Sequence, residues 1–192
     1  MISPIRLGRR LGAVFAIILS LFLMTDANAQ TDIKLDPENT LLMDLKDGQV
    51  VIAMRPDLAP NHVKRIKELV REKFYDGIVF HRVIGGFMAQ TGDPTGTGMG
   101  GSDLADLKAE FTDTPFVRGT IGMARTQNPD SANSQFFIVF GDATFLNGQY
   151  TVIGQVIKGM ENVDAIKKGD ASANGIVVNP DKIISMRLLS AE

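Results

Sequence analysis

The chain from about residue 40 onward is patterned mainly as short strands, because apolar residues recur at every second position. Leu41, Met43 and Leu45 are spaced in this way, and the apolar pattern resumes at Val50 after Asp47–Gly48. An Asp-Gly pair between two apolar segments is a strong hairpin signal, so the first two strands are predicted to pair. Further strands are predicted over residues 119–125, 135–140, 151–157 and 182–189.

Two segments instead repeat apolar residues at intervals of three and four, which is typical of helices. The first follows Pro60 and has charged residues in its gaps, which predicts an amphipathic surface helix with His62 solvated in its first turn. The second is short, starts near Met160 and is closed by Gly169. The apolar positions of the two helices are Val63, Ile66, Leu69, Val70 and Phe74, and Met160, Val163 and Ile166.

The fold class follows from this total of seven or eight strands and two helices. Strands and helices do not alternate as parallel βαβ units require, and no repeat or linker divides the chain. Closing the sheet removes its exposed edges, so a mainly β fold is predicted, a closed barrel with helices over its ends. The segment SQFFIVF at residues 134–140 is apolar at nearly every position, so both faces of that strand are expected to be covered.

The first 29 residues have the pattern of a secretory signal peptide. Three arginines among the first ten residues precede a fourteen-residue apolar segment, and Ala27 and Ala29 supply an A-x-A cleavage pattern. A membrane anchor is the alternative, but a span needs about 20 apolar residues. We therefore expect cleavage after Ala29, a mature domain at residues 30–192 without stable membrane insertion, and export, with the bacterial periplasm as destination.

Composition narrows the function classes. Removing Arg6, Arg9, Arg10 and Asp26 from the 20 basic and 22 acidic residues leaves 17 and 21, a net charge of −4. A mildly acidic surface has no electrostatic footprint for nucleic acid, so no nucleic-acid partner is expected. The chain has no cysteine, which excludes a disulfide, a thiol nucleophile and a cysteine-ligated metal. We expect a monomer.

Several motifs resemble sites but lack the context that their chemistry needs. Gly96, Gly98 and Gly101 match G-x-G-x-x-G, yet no βαβ unit surrounds them, so a flexible surface loop is the better interpretation. His62 and His81 lack metal-ligand spacing, and the serines lie outside any G-x-S-x-G context. Neither a metal nor a cofactor is expected.

Arg82 is unusual because it lies in the almost unbroken apolar stretch VFHRVIGGFMAQ, residues 79–90. A three-residue turn at Gly85–Phe87 would pair Arg82 with Gln90, whereas a two-residue turn would set it opposite Ala89. In the first register a cation and an amide lie together beside large apolar side chains. The alternative role for Arg82 is structural, with its aliphatic stem covering apolar surface on the barrel exterior.

The chain resembles cyclophilin-type peptidyl-prolyl cis/trans isomerases in motifs that follow that family's order over about residues 39 to 189. The motifs are FHRVIGGFMAQTGD, GTGMGG, EF, RGTIGMAR, SQFFIVFGD and FLNGQYTVIGQVIKGMENVD. The resemblance implies an eight-stranded antiparallel barrel capped by two α-helices, with the active groove on its outer surface.

The resemblance also implies which residues form the site. Arg82 matches the family's catalytic arginine, with Gln90 and Phe87 beside it, and Arg125 stands where asparagine is common. Three departures from the family pattern are Gly85 in place of proline, Phe145 in place of tryptophan, which implies weak cyclosporin binding, and Tyr150 in place of histidine. The residues implied to bind substrate are Ile84, Met88, Ala124, Arg125, Gln135, Phe137, Phe145, Leu146 and Tyr150.

The implied reaction is rotation about an X–Pro amide, which breaks no bond and requires no cofactor. Its barrier of about 18–20 kcal/mol comes from amide resonance, which a permanently protonated guanidinium can weaken by donating to the prolyl nitrogen. The function expected is therefore isomerisation of X–Pro bonds in exported proteins, which assists their folding and makes Pro-containing polypeptides the partners.

Two alternatives to catalysis come from other classes of protein. A non-catalytic chaperone or binder could hold Pro-containing segments in the same groove, where it would need the pocket but not Arg82. A barrel that carries small ligands inside conflicts with the bulky apolar residues that must fill the interior.

Overall fold

The computed structural model describes residues 35–191, so the predicted signal peptide at residues 1–29 and its cleavage site lie outside the described residues. Eight strands and two α-helices are present in the described part. No helix within residues 35–191 is long and apolar enough to span a membrane. The elements are β1 (Thr40–Leu45), β2 (Gly48–Met54), α1 (Pro60–Arg71), β3 (Arg82–Ile84), β4 (Met88–Thr91), β5 (Thr120–Met123), β6 (Phe136–Val139), β7 (Val152–Lys158), α2 (Met160–Asp164) and β8 (Ser185–Leu188).

The eight strands form one antiparallel sheet in the order β3-β4-β6-β5-β7-β2-β1-β8. The hairpin predicted at Asp47–Gly48 is confirmed, since Leu45 pairs with Gly48 and β1 follows β2 in register up to Thr40. The mainly β fold with two helices is likewise confirmed. Helix α2 is shorter than its pattern indicated, because it ends at Asp164 rather than continuing toward Gly169.

The prediction of a closed barrel is wrong, because the sheet is an open, curled half-barrel with β3 and β8 as its two edges. The segments beside these edges are joined by isolated bridges, such as Val79 with Lys182, and by single backbone hydrogen bonds, such as that from the Gly77 N–H to the Ile183 carbonyl, but not by a continuous ladder. Two features prevent a regular ladder there. Strand β3 is only three residues long, and the segment facing it contains Pro180 and a left-handed Asn179, neither of which suits a central strand.

Strand β6 separates two apolar clusters, as its continuous apolar run predicted. Phe136 and Ile138 lie in the main core, which fills the inside of the curled sheet and receives the buried face of α1. Phe137 and Val139 point to the other face, where they join a smaller cluster with Phe116 and other apolar residues. The groove described below is built on this outer cluster.

His62 is not solvated as predicted, because its side chain is fully buried. Its Nδ1 lies 2.7 Å from an Oε2 of Glu110, and the same carboxylate accepts the backbone N–H groups of Asn61 and His62. Helix α1 has no side-chain cap of its own. Glu110 therefore supplies acceptors for N–H groups that a helix N-terminus leaves unpaired.

Candidate active site

The β3–β4 hairpin places Arg82 and confirms the three-residue turn. Arg82 pairs with Gln90 and Ile84 with Met88, and the Phe87 N–H donates to the Ile84 carbonyl at 3.0 Å. Gly86 at the turn has φ +77°, a left-handed conformation that glycine adopts without a steric penalty. Directly paired residues of an antiparallel ladder point to the same face, so Arg82 and Gln90 lie side by side.

Three hydrogen bonds fix the guanidinium of Arg82. Its Nε donates to the backbone oxygen of Asn174 at 3.0 Å, and one terminal nitrogen donates to Oδ1 of the same residue at 3.0 Å. The other terminal nitrogen donates to Oε1 of Gln90 at 3.2 Å. Arginine has five N–H donors. Each terminal nitrogen therefore retains one N–H without a partner among the described residues.

A chain of amides continues from Gln90 to the glycine-rich loop at residues 93–101. Nε2 of Gln90 donates to Oε1 of Gln135 at 2.9 Å. Nε2 of Gln135 in turn donates to the carbonyls of Gly98 at 3.1 Å and Gly100 at 2.8 Å. Because every amide both donates and accepts, the orientation of each one determines that of the next, and Gln90 must present its oxygen to Arg82.

The carboxylate of Asp93 holds this loop, which was expected to be flexible. Asp93 is 1% exposed and accepts the backbone N–H groups of Thr95, Thr97, Gly98 and Gly100 at 2.6–3.1 Å. Burial alone would raise the pKa of Asp93, but these hydrogen bonds outweigh it and lower the pKa to about 2. A Cβ on Gly100 would lie 2.3 Å from the carboxylate, so glycine is required at that position. The glycines thus surround an internal anion, not a nucleotide phosphate.

Burial also affects the pKa of Arg82. Desolvation lowers the pKa of Arg82, partly opposed by the nearby Tyr150 hydroxyl. Arginine has so high an intrinsic pKa that the group still carries its proton at neutral pH. The side chain is half-buried rather than covered, and it borders a cavity of about 420 Å³.

The cavity beside Arg82 is apolar on its far side. Phe137 forms its floor, stacked on Phe116 at 5.7 Å and edge-on to Tyr150 at 5.6 Å between ring centroids. Phe87 and Phe145 form one wall, with centroids 5.3 Å apart. The residues that line it are Arg82, Phe87, Met88, Gln90, Ala124, Arg125, Phe137, Phe145, Leu146, Gln149 and Tyr150.

Two of the residues predicted for the site lie next to this cavity and not in it. Ile84 packs against the outer apolar cluster. Gln135 lines an adjoining cavity of about 450 Å³, bordered by the glycine-rich loop and by Asn133 and Asp106. All the other residues that the resemblance implied for the groove, with Arg82, Gln90 and Phe87, border the first cavity.

Arg125 contributes to the wall of the cavity through its side chain. Its guanidinium lies 4.5 Å from the Tyr150 ring centroid and 5.9 Å from that of Phe111. It also donates to the backbone oxygens of Gln149 and Thr126 at 2.9 Å. Arg125 therefore stiffens the wall between the two cavities by cation–π contact and by cross-linking two loops.

Sequence reasoning missed Asn174, which supplies two of the three partners of Arg82. No local signal points to it, since the two residues are 92 positions apart. The one available signal is the Asn-Gly pair at Asn174–Gly175, which is typical of a turn. The structure places Asn174 in a left-handed conformation with φ +54° at the end of a short 3₁₀ helix.

The remaining candidates for chemistry lie apart from the cavity. His81 is buried on the opposite side of the strand from Arg82, as alternation predicted, and its ring nitrogens have no partner among the described residues. Burial lowers the pKa of His81, Asp93 opposes the shift and Arg82 adds to it. Residues 35–191 contain no cluster of three histidine, aspartate or glutamate side chains that could hold a metal.

Comparison with known proteins gives one family. The family model described as cyclophilin type peptidyl-prolyl cis-trans isomerase/CLD matches residues 40–188. A probable peptidyl-prolyl cis-trans isomerase of Brucella suis biovar 1 is 60% identical over 166 residues, which cover 81% of this chain and 85% of the relative. A peptidyl-prolyl cis-trans isomerase of Acinetobacter baylyi is 40% identical over 162 residues, covering 74% of this chain and 81% of the relative.

Solved structures agree with the sequence relatives. Cyclophilin AquaCyp293 from Hirschia baltica superposes with a TM-score of 0.73 at 27% identity, covering 82% of this chain and 76% of that one. A Cryptosporidium parvum cyclophilin-type isomerase, crystallised in the presence of the dipeptide Ala-Pro, gives a TM-score of 0.71 at 25% identity, covering 78% and 98%. With the family model matching nearly all of the described residues and the Brucella relative sharing 60% identity, the chain belongs to the cyclophilin-type peptidyl-prolyl cis-trans isomerases.

Proposed function

We propose that this isomerase catalyses the cis/trans isomerisation of X–Pro peptide bonds in the groove around Arg82. We further propose that its substrates are exported proteins. One structural observation supports the catalytic part of this proposal. The guanidinium is held by three hydrogen bonds, yet one N–H on each terminal nitrogen has no partner among the described residues, and the group borders an apolar cavity. A side chain that served only to cover apolar surface would not need its head group fixed at three points.

The fixed donors suit the chemistry of amide rotation. As the X–Pro bond twists, the lone pair of the prolyl nitrogen localises and becomes a hydrogen-bond acceptor. A donor held in place beforehand stabilises that state without reorganising, and such groups contribute roughly 3–4 kcal/mol. An acceleration of about 10⁵ requires roughly 7 kcal/mol. Holding the ring in the pocket and removing water from the amide supply the remainder.

The pocket for the proline ring is formed by Phe87, Met88, Phe137 and Leu146. Met88, Phe137 and Leu146 are buried and Phe87 is half-buried, so a ring placed against them exchanges water for apolar contact. The Cryptosporidium relative crystallised in the presence of Ala-Pro supports a ligand of this size and chemistry. The substrates proposed are accordingly Pro-containing polypeptides, one part of which is gripped while the other rotates.

Substitution of Arg82 tests the catalytic role. In a protease-coupled or NMR-exchange assay on an Ala-Pro peptide, we expect Arg82→Ala to lower kcat/KM at least a hundredfold, about 2.7 kcal/mol. Arg82→Lys should rescue poorly, because an ammonium cannot reach Asn174 and Gln90 with the geometry of a planar fork. Arg55→Ala is the matched control, since Arg55 is an exposed arginine paired with Asp57.

The same variants distinguish catalysis from simple holding of Pro-containing segments. Peptide affinity should fall only modestly in Arg82→Ala, since the apolar pocket remains. If Arg82→Ala turns over peptide at the parent rate and only unfolds more easily, then the role of Arg82 is structural and the catalytic assignment is wrong.

A further inference from the structure

Ile176 is an exposed apolar residue directly across from Arg82, on the side opposite Gln90. The two residues form an isolated antiparallel bridge. The Val83 N–H donates to the Gly175 carbonyl at 2.8 Å and the Val177 N–H to the His81 carbonyl at 3.1 Å. These bonds flank the pair and do not join it, which is the arrangement that brings opposed Cα atoms to about 4.5 Å. The side chains of Arg82 and Ile176 therefore lie next to each other on one face.

The burial pattern places Val178 on the outer surface as well. Ile176 is 61% exposed and Val178 is 74% exposed, whereas Val177 between them is 7% exposed and lies in the main core. The alternating exposure thus shows that Ile176 and Val178 face outward. Single exposed apolar side chains are common, but a pair continuous with a binding groove is typical of an interaction surface.

The position of Ile176 and Val178 relative to Arg82 determines which part of a bound peptide could cover them. A row of paired residues crosses the sheet from Ile176 through Arg82 and Gln90 to Phe137. Cross-strand side chains are about 4.5–5.5 Å apart, and an extended peptide advances about 3.3 Å per residue. Gln90, which lies between Arg82 and Phe137, is two pairings or roughly 9–11 Å from Ile176. A polypeptide with its proline there therefore brings a side chain two or three residues from the proline over Ile176.

We propose that Ile176, with Val178, determines specificity by receiving an apolar side chain of the substrate two or three residues from the proline. The inference rests on the proposed function, since it requires the substrate to lie beside Arg82. The occupant is an extended segment of the substrate polypeptide, because an extended chain presents a proline and a nearby apolar side chain along one line. Leucine or isoleucine at that substrate position gains contact with Ile176, whereas lysine leaves it exposed to water.

The test compares peptides that differ at one flanking position. A series containing Ala-Pro carries either leucine or lysine at each of the two positions before the alanine and at the second and third positions after the proline, and kcat/KM is measured for every peptide. At one position we expect the parent to prefer leucine about tenfold, as burial of one large apolar side chain allows. In Ile176→Glu the ratio at that position should invert in favour of lysine.

A matched control is available in Ile184. It is also an exposed isoleucine, at 53%, and follows a residue buried in the main core, but it lies beside β8 with its N–H bonded to Asp44. Ile184→Glu should keep the parent's leucine preference. The inference is overturned if the parent shows no preference at any position, or if Ile176→Glu keeps the parent ratio. A parent rate equal to the uncatalysed rate would overturn both the inference and the proposed function, so the two failures are distinguishable.

Discussion

Arg82 carries a charge into a sheet where an unpaired cation would be costly, and its neighbours determine which donors it can offer. Gln90 could be predicted as a partner, because a three-residue turn sets it opposite Arg82. Asn174 could not, because it reaches Arg82 through a segment far along the chain whose irregular path no periodic pattern records. At the scale of single residues, local register could be inferred from the sequence and long-range anchoring could not.

The Asn174 side chain can be tested separately from its backbone oxygen. Asn174→Gly keeps the left-handed conformation but removes Oδ1, so one terminal nitrogen of Arg82 loses its anchor. We expect kcat to fall about tenfold with KM little changed, because positioning and not peptide binding is lost. Asn174→Asp, which keeps an acceptor and tolerates this conformation, should restore most of the rate. Equal kcat values for Asn174→Gly and the parent would rule out a positioning role.

Phe145 sets an expectation for inhibitor binding. It is 64% exposed at the rim of the cavity and in contact with Phe87. A phenyl ring has less contact area than indole and has no N–H donor. We therefore expect weak cyclosporin inhibition, tightened tenfold or more in Phe145→Trp, as measured by inhibition of the isomerase assay. If Phe145→Trp is inhibited no better than the parent, then Phe145 does not meet the inhibitor.

At the scale of a single element, the loop at residues 93–101 shows what a sequence pattern can and cannot predict. Its glycines could be recognised as a motif, and a nucleotide site could be rejected from the missing βαβ context. The reason for the glycines could not be inferred, because it lies in the burial of Asp93, which hydrophobicity patterns do not reveal. The loop then acts on the site through the carbonyls that orient Gln135.

The Asp93 carboxylate should make the stability of this loop depend on pH. Its pKa is lowered to about 2 from an ordinary value of 3.8. A lowered pKa means that the ionised group stabilises the fold above about pH 4 and loses this contribution as the pH falls toward 2. We expect Asp93→Asn to lower the free energy of unfolding in urea by about 2 kcal/mol at pH 7, and the difference from the parent to shrink below pH 4.

The control for this experiment is Asp113→Asn, which changes an exposed carboxylate outside the loop. Asp113→Asn should leave the free energy of unfolding close to that of the parent both at pH 7 and below pH 4. An Asp93→Asn variant as stable as the parent at pH 7 would show that the backbone donors are satisfied equally well by a neutral amide.

On the scale of the whole molecule, a total of seven or eight strands and the buried β6 followed from apolar patterning, whereas the eight-stranded antiparallel arrangement followed from the resemblance to the cyclophilin family. The closed barrel was not confirmed, because closure depends on whether the first and last edges can form a ladder. Short β3 and the turn-rich segment before β8 cannot form one. Edge protection was the correct physical concern, but isolated bridges and irregular backbone provide it here.

The predicted export of the molecule is open to a direct measurement. We propose a mature N-terminus at Gln30, because residues 1–29 carry the basic, apolar and A-x-A segments of a signal peptide. Mass spectrometry of the protein recovered from the periplasmic fraction should give the mass of residues 30–192. Recovery of only the full-length mass, from the membrane fraction, would instead indicate an uncleaved anchor.

The pairing of β1 with β8 and of Arg82 with Asn174 has a consequence for biosynthesis. A polypeptide emerges from the ribosome with its N-terminus first, so β1 and Arg82 are made long before the segments that complete them. A nascent chain that stops short of Asn174 contains Arg82 and the residues proposed to form the proline pocket, but it lacks two of the hydrogen bonds that fix the guanidinium. The site around Arg82 is therefore complete only once the C-terminal segment that carries Asn174 is present and packed beside β3.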